Sequence, residues 1–349
     1  MTLLFNTSSA FLISHSEYIS QIFKSVKVEN ESHHYLLSPK IFAIKNKIHE
    51  INNKRPRKCD EVLKEVSMIR ELYQTFLTKI PEGMRENIFQ DDYETAEVRE
   101  HSKRLFELTQ FDYNGLKGGN NSDDALKCLI KDEYFLIPPK SRFLCGCVKE
   151  QSKGLAGNKY DIVIADPPWW NKYIRRLKSA NNKMSYSMMY NEDIASIPVK
   201  ELFADKCLVV VWCTNAASNI DAVKNLIFPQ WGVKYMATWY WLKLAVDLEP
   251  ICSFGSGCKK QPYERVIIGC VGEMKEIPDT ILFASVPSAL HSHKPPLLDL
   301  LQKFTDNKEP AVLELFARYL LPNTTSVGYE PLKWQHISLY EKKYKKSNL

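Results

Sequence analysis

The segments Ile162-Val163-Ile164-Ala165 and Leu208-Val209-Val210-Val211 are apolar at every position. A strand with one wetted face alternates polar and apolar residues. A strand that is apolar throughout is covered on both faces, which is the habit of parallel sheets flanked by helices. From about residue 141 the chain keeps supplying such segments. Strands are expected at 142–148, 160–165, 207–214, 235–243, 265–271, 281–285, 312–316 and 324–328, and helices at 192–203, 216–228 and 295–305. That alternation predicts a doubly wound α/β fold, whose ligands sit beyond the carboxyl ends of the strands.

The upstream part has a different texture. Phe11-Leu12-Ile13 and Tyr35-Leu36-Leu37 read as short strands. Val62, Val66, Ile69, Tyr73, Phe76 and Ile80 recur at steps of three and four, predicting a helix over 59–80 that uses this stripe for packing. Residues 114–124, rich in Gly, Asn and Asp, read as a loop, and Pro138-Pro139 as a boundary. The organisation expected is a mixed α+β extension over 1–140, an α/β domain over 141–340 and a basic tail over 341–349.

Composition narrows the class. With 44% hydrophobic and 25% charged residues, the 349-residue chain can bury a large core. No apolar run reaches membrane-spanning length and the first residues lack a leader pattern, so neither membrane nor secretion is expected. Nine cysteines without a double Cys-x-x-Cys set suggest free thiols in a reducing compartment; Cys145-Gly146-Cys147 and Cys252/Cys258 are the close groupings, and no metal is expected. The net charge of +6 permits a phosphate-bearing partner. The basic cluster at 54–58 reads as a nuclear import signal, a phosphate contact or a solvated linker.

The strand at 160–165 runs into Asp166-Pro167-Pro168-Trp169. A chance match to four fixed residues of these types in a chain of this length is roughly a one-in-a-thousand event. The chemistry suits methylation of an aromatic amine. Such a nitrogen is a poor nucleophile because its lone pair is delocalised into the ring. An acceptor that holds its N–H groups turns the lone pair outward, and Asp166 or a proline carbonyl can do so. The prolines stiffen the loop, and Trp169 offers a flat face for an extruded base.

On these residues the chain resembles the adenine-N6 methyltransferases that include the catalytic subunit of the mRNA adenosine methyltransferase, most nearly the methyltransferase-like protein four branch. The resemblance runs over roughly 141–338. It implies a Rossmann-like fold in permuted motif order, S-adenosylmethionine as cofactor, no metal, and Asp166, Pro167, Pro168 and Trp169 as the catalytic loop. His291-Ser292-His293-Lys294-Pro295-Pro296 resembles the family segment whose lysine contacts the cofactor, which implies that Lys294 meets its methionine carboxylate. Leu313-Glu314-Leu315-Phe316-Ala317-Arg318 resembles a family strand end with glycine where Ala317 stands, and implies that Arg318 contacts ribose or methionine. Gly328-Tyr329-Glu330 resembles a segment with asparagine where Tyr329 stands, with Glu330 toward the ribose hydroxyls. Cys147 and Val148 fall near the cofactor adenine, where the family often has an acidic residue.

On the substrate side, residues 171–183 carry Lys172, Arg175, Arg176, Lys178 and Lys183 with no acidic residue, where phosphates would lie. Tyr186 matches a family tyrosine near the substrate base, and Trp212 either lines the pocket or packs in the core. Residues 252–262, with Lys259 and Lys260, read as a substrate loop. Glu264 matches a family glutamate of structural role. The expected activity is methylation of adenine N6 in nucleic acid by a nuclear or cytosolic monomer, on RNA more than on DNA, with DNA adenine as the alternative substrate. The branch implies a small nuclear RNA adenosine, including one already methylated on the ribose. Two readings stay open beside it: a non-catalytic nucleic-acid-binding scaffold, and a small-molecule amine methyltransferase.

Overall fold

The computed structural model describes residues 3–29, 31–45, 60–87, 93–170, 188–255 and 260–343. In chain order its strands begin with β1 (Leu3–Asn6), β2 (Ala10–Ile13), β3 (Val26–Val28), β4 (Glu31–Leu37), β5 (Lys117–Asn120), β6 (Ala125–Ile130), β7 (Glu133–Ile137) and β8 (Ser141–Cys145). They continue with β9 (Tyr160–Ala165), β10 (Phe203–Cys213), β11 (Lys234–Lys243), β12 (Tyr263–Val271), β13 (Leu282–Ser285), β14 (Val312–Leu315), β15 (Thr324–Gly328) and β16 (Tyr340–Lys343).

Eleven strands form one sheet in the order β1-β2-β13-β11-β12-β10-β9-β14-β15-β8-β5. The fold is Rossmann-like. Strand β9 sits near the middle, parallel to β10 on one side and β14 on the other. The wholly apolar strands bury both faces: Ile162 and Val210 pack on one side, Val163 and Val209 on the other. Strand β12 is antiparallel to both of its neighbours, β10 and β11. Its amino end therefore lies at the edge where the parallel strands have their carboxyl ends. That inversion matters below, because it brings Glu264 and Arg265 to the ligand side.

Several elements differ from expectation. The strand expected at 142–148 stops at Cys145, and Val148–Lys153 is a short helix capped at Cys147. The helix expected over 192–203 is only Asn191–Ala195 followed by a 3-10 turn Lys200–Leu202, because Pro198 lacks the N–H that would continue it. Helix Ala217–Ala222 runs through a π-helical turn, Val223–Ile227, into Phe228–Trp231. The expected loop at 114–124 contains β5, whose glycines suit a close approach: a Cβ on Gly119 would sit 2.3 Å from the Ser141 carbonyl oxygen.

The boundaries expected at 140 and 340 do not divide the sheets. Strands β1, β2 and β5 belong to the large sheet, and the second sheet runs β16-β4-β3-β6-β7, joining the end of the described chain to its beginning. Helix Asp60–Lys79 packs Val66, Ile69, Tyr73 and Phe76 against Leu12, Leu242 and Leu282, and the Tyr73 hydroxyl donates to Leu248 O at 2.9 Å. Among the described residues no helix is long and apolar enough to cross a membrane.

All seven tryptophans lie between 169 and 334, so their fluorescence reports on the region expected to fold separately. Ile69, fully buried, is expected on truncation to alanine to cost about 2–5 kcal/mol. Urea unfolding followed by tryptophan fluorescence should show that loss in one transition. An unmoved midpoint would mean that the helix folds apart from the sheet.

Candidate active site

Asp166 leaves the end of β9 with its backbone N–H still donating to Leu315 O of β14 at 3.3 Å. Its carboxylate stands where two cavities meet. The smaller, about 250 Å³, is lined by Cys147, Val148, Phe316, Ala317, Tyr329 and Glu330 from the ends of β8, β14 and β15. The larger, about 700 Å³, opens over Trp170, Asn215, Lys243, Lys260, Glu264 and Lys294. Asp166, Pro168, Met188 and Arg318 line both.

Charges alternate along this edge. Lys243, at the end of β11, and Lys294 both donate to the Glu264 carboxylate. Lys294 Nζ is 3.8 Å from Asp166 Oδ1, and Ser292 Oγ donates to Asp166 Oδ2 at 3.5 Å. The four charged side chains are between 14% and 25% exposed, so each depends on its neighbours. Burial raises the Glu264 carboxyl, but Lys294 and Lys243 outweigh it and hold Glu264 down to about 2. For Asp166 burial wins: Lys294 and Arg318 pull its pKa down, yet it stays above the ordinary carboxylate value. Lys294 is pushed up by Asp166 and Glu264 against its own burial. Lys243, with burial outweighing Glu264, is held down.

Two backbone strains mark the same place. Ser292 and Phe316 have φ of 60° and 63°, a region costly for side-chain-bearing residues. Ser292 faces Asp166 and Phe316 lines the smaller cavity.

The structure brings together Asp166, Pro167, Pro168, Lys260, Lys294 and Arg318 around the larger cavity, and Cys147, Val148, Arg318, Tyr329 and Glu330 around the smaller. Lys294 is not among the residues of the smaller cavity; its partner is Glu264. Glu264, expected to be structural, supplies the anion between the two lysines. Glu330 is buried against Lys333 at 2.8 Å, and Tyr329, 39% exposed, lies at the rim. Both proline carbonyls have a donor already: Pro167 O accepts from Trp169 N at 2.8 Å and Pro168 O from Met189 N at 2.9 Å.

Trp169 also lines the larger cavity, but it is 7% exposed and its indole N–H donates to Trp212 O at 3.0 Å, so most of its surface is taken up by packing. The accessible aromatic on the loop is Trp170, stacked at 5.9 Å on Tyr190. Trp212 packs edge-on against Trp241 and Phe283 in the core. Lys172, Arg175, Arg176, Lys178, Lys183, Tyr186 and Lys259 lie outside the described residues, as does the 54–58 cluster. Sequence reasoning missed Lys243, Ser292, Asn215 and Phe316; a lysine closing the aromatic strand Trp239-Tyr240-Trp241-Leu242 was the one visible signal. Among the described residues no group of three or more His, Cys, Asp or Glu is placed to hold a metal ion.

The MT-A70 family model matches residues 160–330, which span β9 to just beyond β15 and contain Asp166, Glu264, Lys294, Arg318 and Glu330. The chain carries an MT-A70 family domain. Relatives of that domain include the human N(6)-adenine-specific methyltransferase METTL4, 36% identical over 234 residues, covering 63% of this chain and 48% of that protein. A Caenorhabditis elegans DNA N6-methyl methyltransferase is 40% identical over 214 residues, 58% of this chain and 55% of that one. The Cryphonectria parasitica N6-methyladenosine RNA methyltransferase MTA1 is 35% identical over 208 residues, 57% and 60% respectively. The matched part spans about half the length of the first of these relatives.

The MT-A70 domain's central carboxylate should respond to Glu264→Gln, which leaves Lys243 and Lys294 without their shared anion. Because the site is a quarter exposed, a loss of about 1–3 kcal/mol is expected. A carboxyl held low in the folded state stabilises above its ordinary value of 4.5 and loses that contribution as pH falls toward 2. Thermal melts of wild type and variant should therefore differ at neutral pH and converge in acid. A gap that persists at the lowest pH would exclude this charge pairing as its source.

Proposed function

We propose that this chain transfers a methyl group from S-adenosylmethionine to the N6 amine of an adenine in nucleic acid. The observation that carries the reading is the position of Asp166 at the junction of two cavities, facing Lys294 and Arg318. The relatives' activities, on DNA in one and on RNA in another, point to the same chemistry.

The smaller cavity fits the cofactor's chemistry. Val148 and Phe316 supply apolar walls for a purine, the Glu330 carboxylate suits ribose hydroxyls, and Arg318 suits a carboxylate near the junction. Bound there, S-adenosylmethionine supplies an electrophilic methyl group. The protein's own work is on the amine. Asp166, ionised, accepts an N–H of the base and turns the nitrogen lone pair out of the ring. Ser292 and Lys294 hold the carboxylate in place. The raised pKa of Asp166 makes it a better proton acceptor when the amine must lose its hydrogen. Trp170 and Lys260 line the larger cavity and suit a stacked base and a phosphate.

RNA is the proposed substrate class, with ribose-methylated adenosine included, and the basic run at 171–183 is the proposed phosphate track. A nuclear location, suggested by the 54–58 cluster, and action as a monomer belong to the same proposal.

The test is nucleoside mass spectrometry of matched RNA, ribose-methylated RNA and DNA oligonucleotides after incubation with the cofactor. N6-methyladenine should form, more on RNA. None on any of them, with nucleic-acid binding intact, would favour a scaffold. Asp166→Asn should lower kcat by at least about 10²-fold. A buried carboxyl whose pKa is raised on folding destabilises as pH rises through that value. The Asn variant should therefore melt no lower than wild type at pH 7. Retained turnover would remove Asp166 from its role.

A further inference from the structure

Asn215 follows the end of β10 and lines the larger cavity together with Asp166, Trp170 and Glu264. Its amide is held from two sides. Arg265 Nη1 donates to Asn215 Oδ1 at 2.6 Å, and Asn215 Nδ2 donates to Tyr263 O at 2.7 Å. A guanidinium can only donate and a carbonyl can only accept, so both partners fix the same orientation of the amide. An amide nitrogen carries two hydrogens, and Tyr263 takes one. The other is left for the cavity.

Arg265 is itself clamped. Its side chain is 6% exposed and donates through Nη2 to Glu65 Oε1 on helix Asp60–Lys79. Glu65 also accepts from the Tyr263 hydroxyl at 2.9 Å and the Tyr240 hydroxyl at 3.3 Å, and the guanidinium lies over both rings, 5.7 and 5.9 Å from their centroids. Glu65 lies outside the stretch matched by the family model. A residue of the N-terminal part thus binds the same arginine that holds the Asn215 amide.

We infer that Asn215 determines base specificity by donating to the ring nitrogen that flanks the substrate amine, and that Glu65 is a positioning residue acting through Arg265. The inference rests on the adenine reading of the larger cavity. In adenine the amine-bearing carbon is flanked by N1 and, across the ring fusion, by N7, both acceptors. With the amine on Asp166, a fixed N–H on the cavity wall pairs with one of them. Guanine and hypoxanthine carry a carbonyl in place of the amine and a hydrogen on N1, so an N–H aimed at N1 would oppose another donor there.

The experiment uses the full chain as wild type, Asn215→Ala and Glu65→Ala. The probes are single-stranded oligonucleotides holding one adenine, one 1-deazaadenine or one 7-deazaadenine, with affinity read by anisotropy and turnover read separately. In the wild type one analogue should bind about tenfold more weakly than adenine, the loss of one hydrogen bond. Asn215→Ala should bind adenine with the same loss and no longer distinguish that analogue. Glu65→Ala should lose most of the distinction through KM with kcat retained, which a purely structural role would not produce; Glu65→Gln, of equal volume, repeats the test if the alanine variant does not fold. A wild type indifferent to both analogues, or an Asn215→Ala variant that still discriminates, overturns the role of Asn215. Undiminished discrimination in the Glu65 variant overturns the clamp. A wild type that discriminates but never methylates would count against the transfer reaction instead.

Discussion

The row Lys243–Glu264–Lys294–Asp166 is the constraint around which the site is organised. Each carboxylate is placed against an ammonium and each ammonium against a carboxylate, in surroundings too dry for any of them to stand alone. The row is unequal by design of position. Glu264 sits between two cations and is held strongly ionised. Asp166 is at the end of the row, with one lysine at 3.8 Å and a serine at 3.5 Å, and burial dominates it. The interior members fix the geometry, and the terminal member keeps unspent basicity. A central glutamate would be the wrong group to receive a proton, and the end aspartate is the right one.

Sheet topology is what assembles that row. Asp166, Lys243 and Lys294 all follow strands that run in the same direction, so their carboxyl ends share an edge. An acidic residue on another parallel strand would have to come from beyond its end as well. The inverted strand β12 offers a different solution, because its first residues arrive at that edge while already paired, Glu264 opposite Trp241 and Arg265 opposite Tyr240 and Cys213. Rigid ladder hydrogen bonds therefore position the anion that orders the two lysines. The N-terminal part is drawn in by the same edge: β2 pairs with β13, and the helix lying on that pair carries Glu65 to Arg265.

Legibility in the sequence followed burial. Strand β9 is found where the apolar run Ile162–Ala165 predicts it, since a segment covered on both faces has few polar residues to obscure its limits. The helix at Asp60–Lys79 was readable for the opposite reason: its one buried stripe repeats at the helical period. Strand direction has no such signature. Tyr263–Val271 reads the same whether it runs with its neighbours or against them, so the arrival of Glu264 beside Lys243 was invisible. Adjacent tryptophans were ambiguous in the same way. Trp169 and Trp170 differ in which one finds a carbonyl for its indole within the core, and that depends on Trp212, 43 residues further on. Strand β5 was hidden because its two glycines signal a loop, whereas here they let an edge strand approach the backbone of β8.

The departures from the resembled family pattern can be judged by the same geometry. Glycine would be demanded at 317 if the chain there took a left-handed conformation or met backbone too closely for a Cβ. Neither holds: the left-handed residue is Phe316, and Ala317 is buried with its N–H donating to Val327 O at 3.0 Å. The close approach falls on the facing strand, where a Cβ on Gly328 would lie 2.9 Å from the Ala317 carbonyl oxygen. The glycine that this close approach requires is Gly328, which the resembled family segment shares, so Ala317 is accommodated. Tyr329 follows that glycine at the rim, next to Cys147 and partly exposed, so its bulk adds to the cavity's edge. The left-handed Phe316 and the close Gly328–Ala317 contact thus shape the same wall of the smaller cavity, next to Asp166.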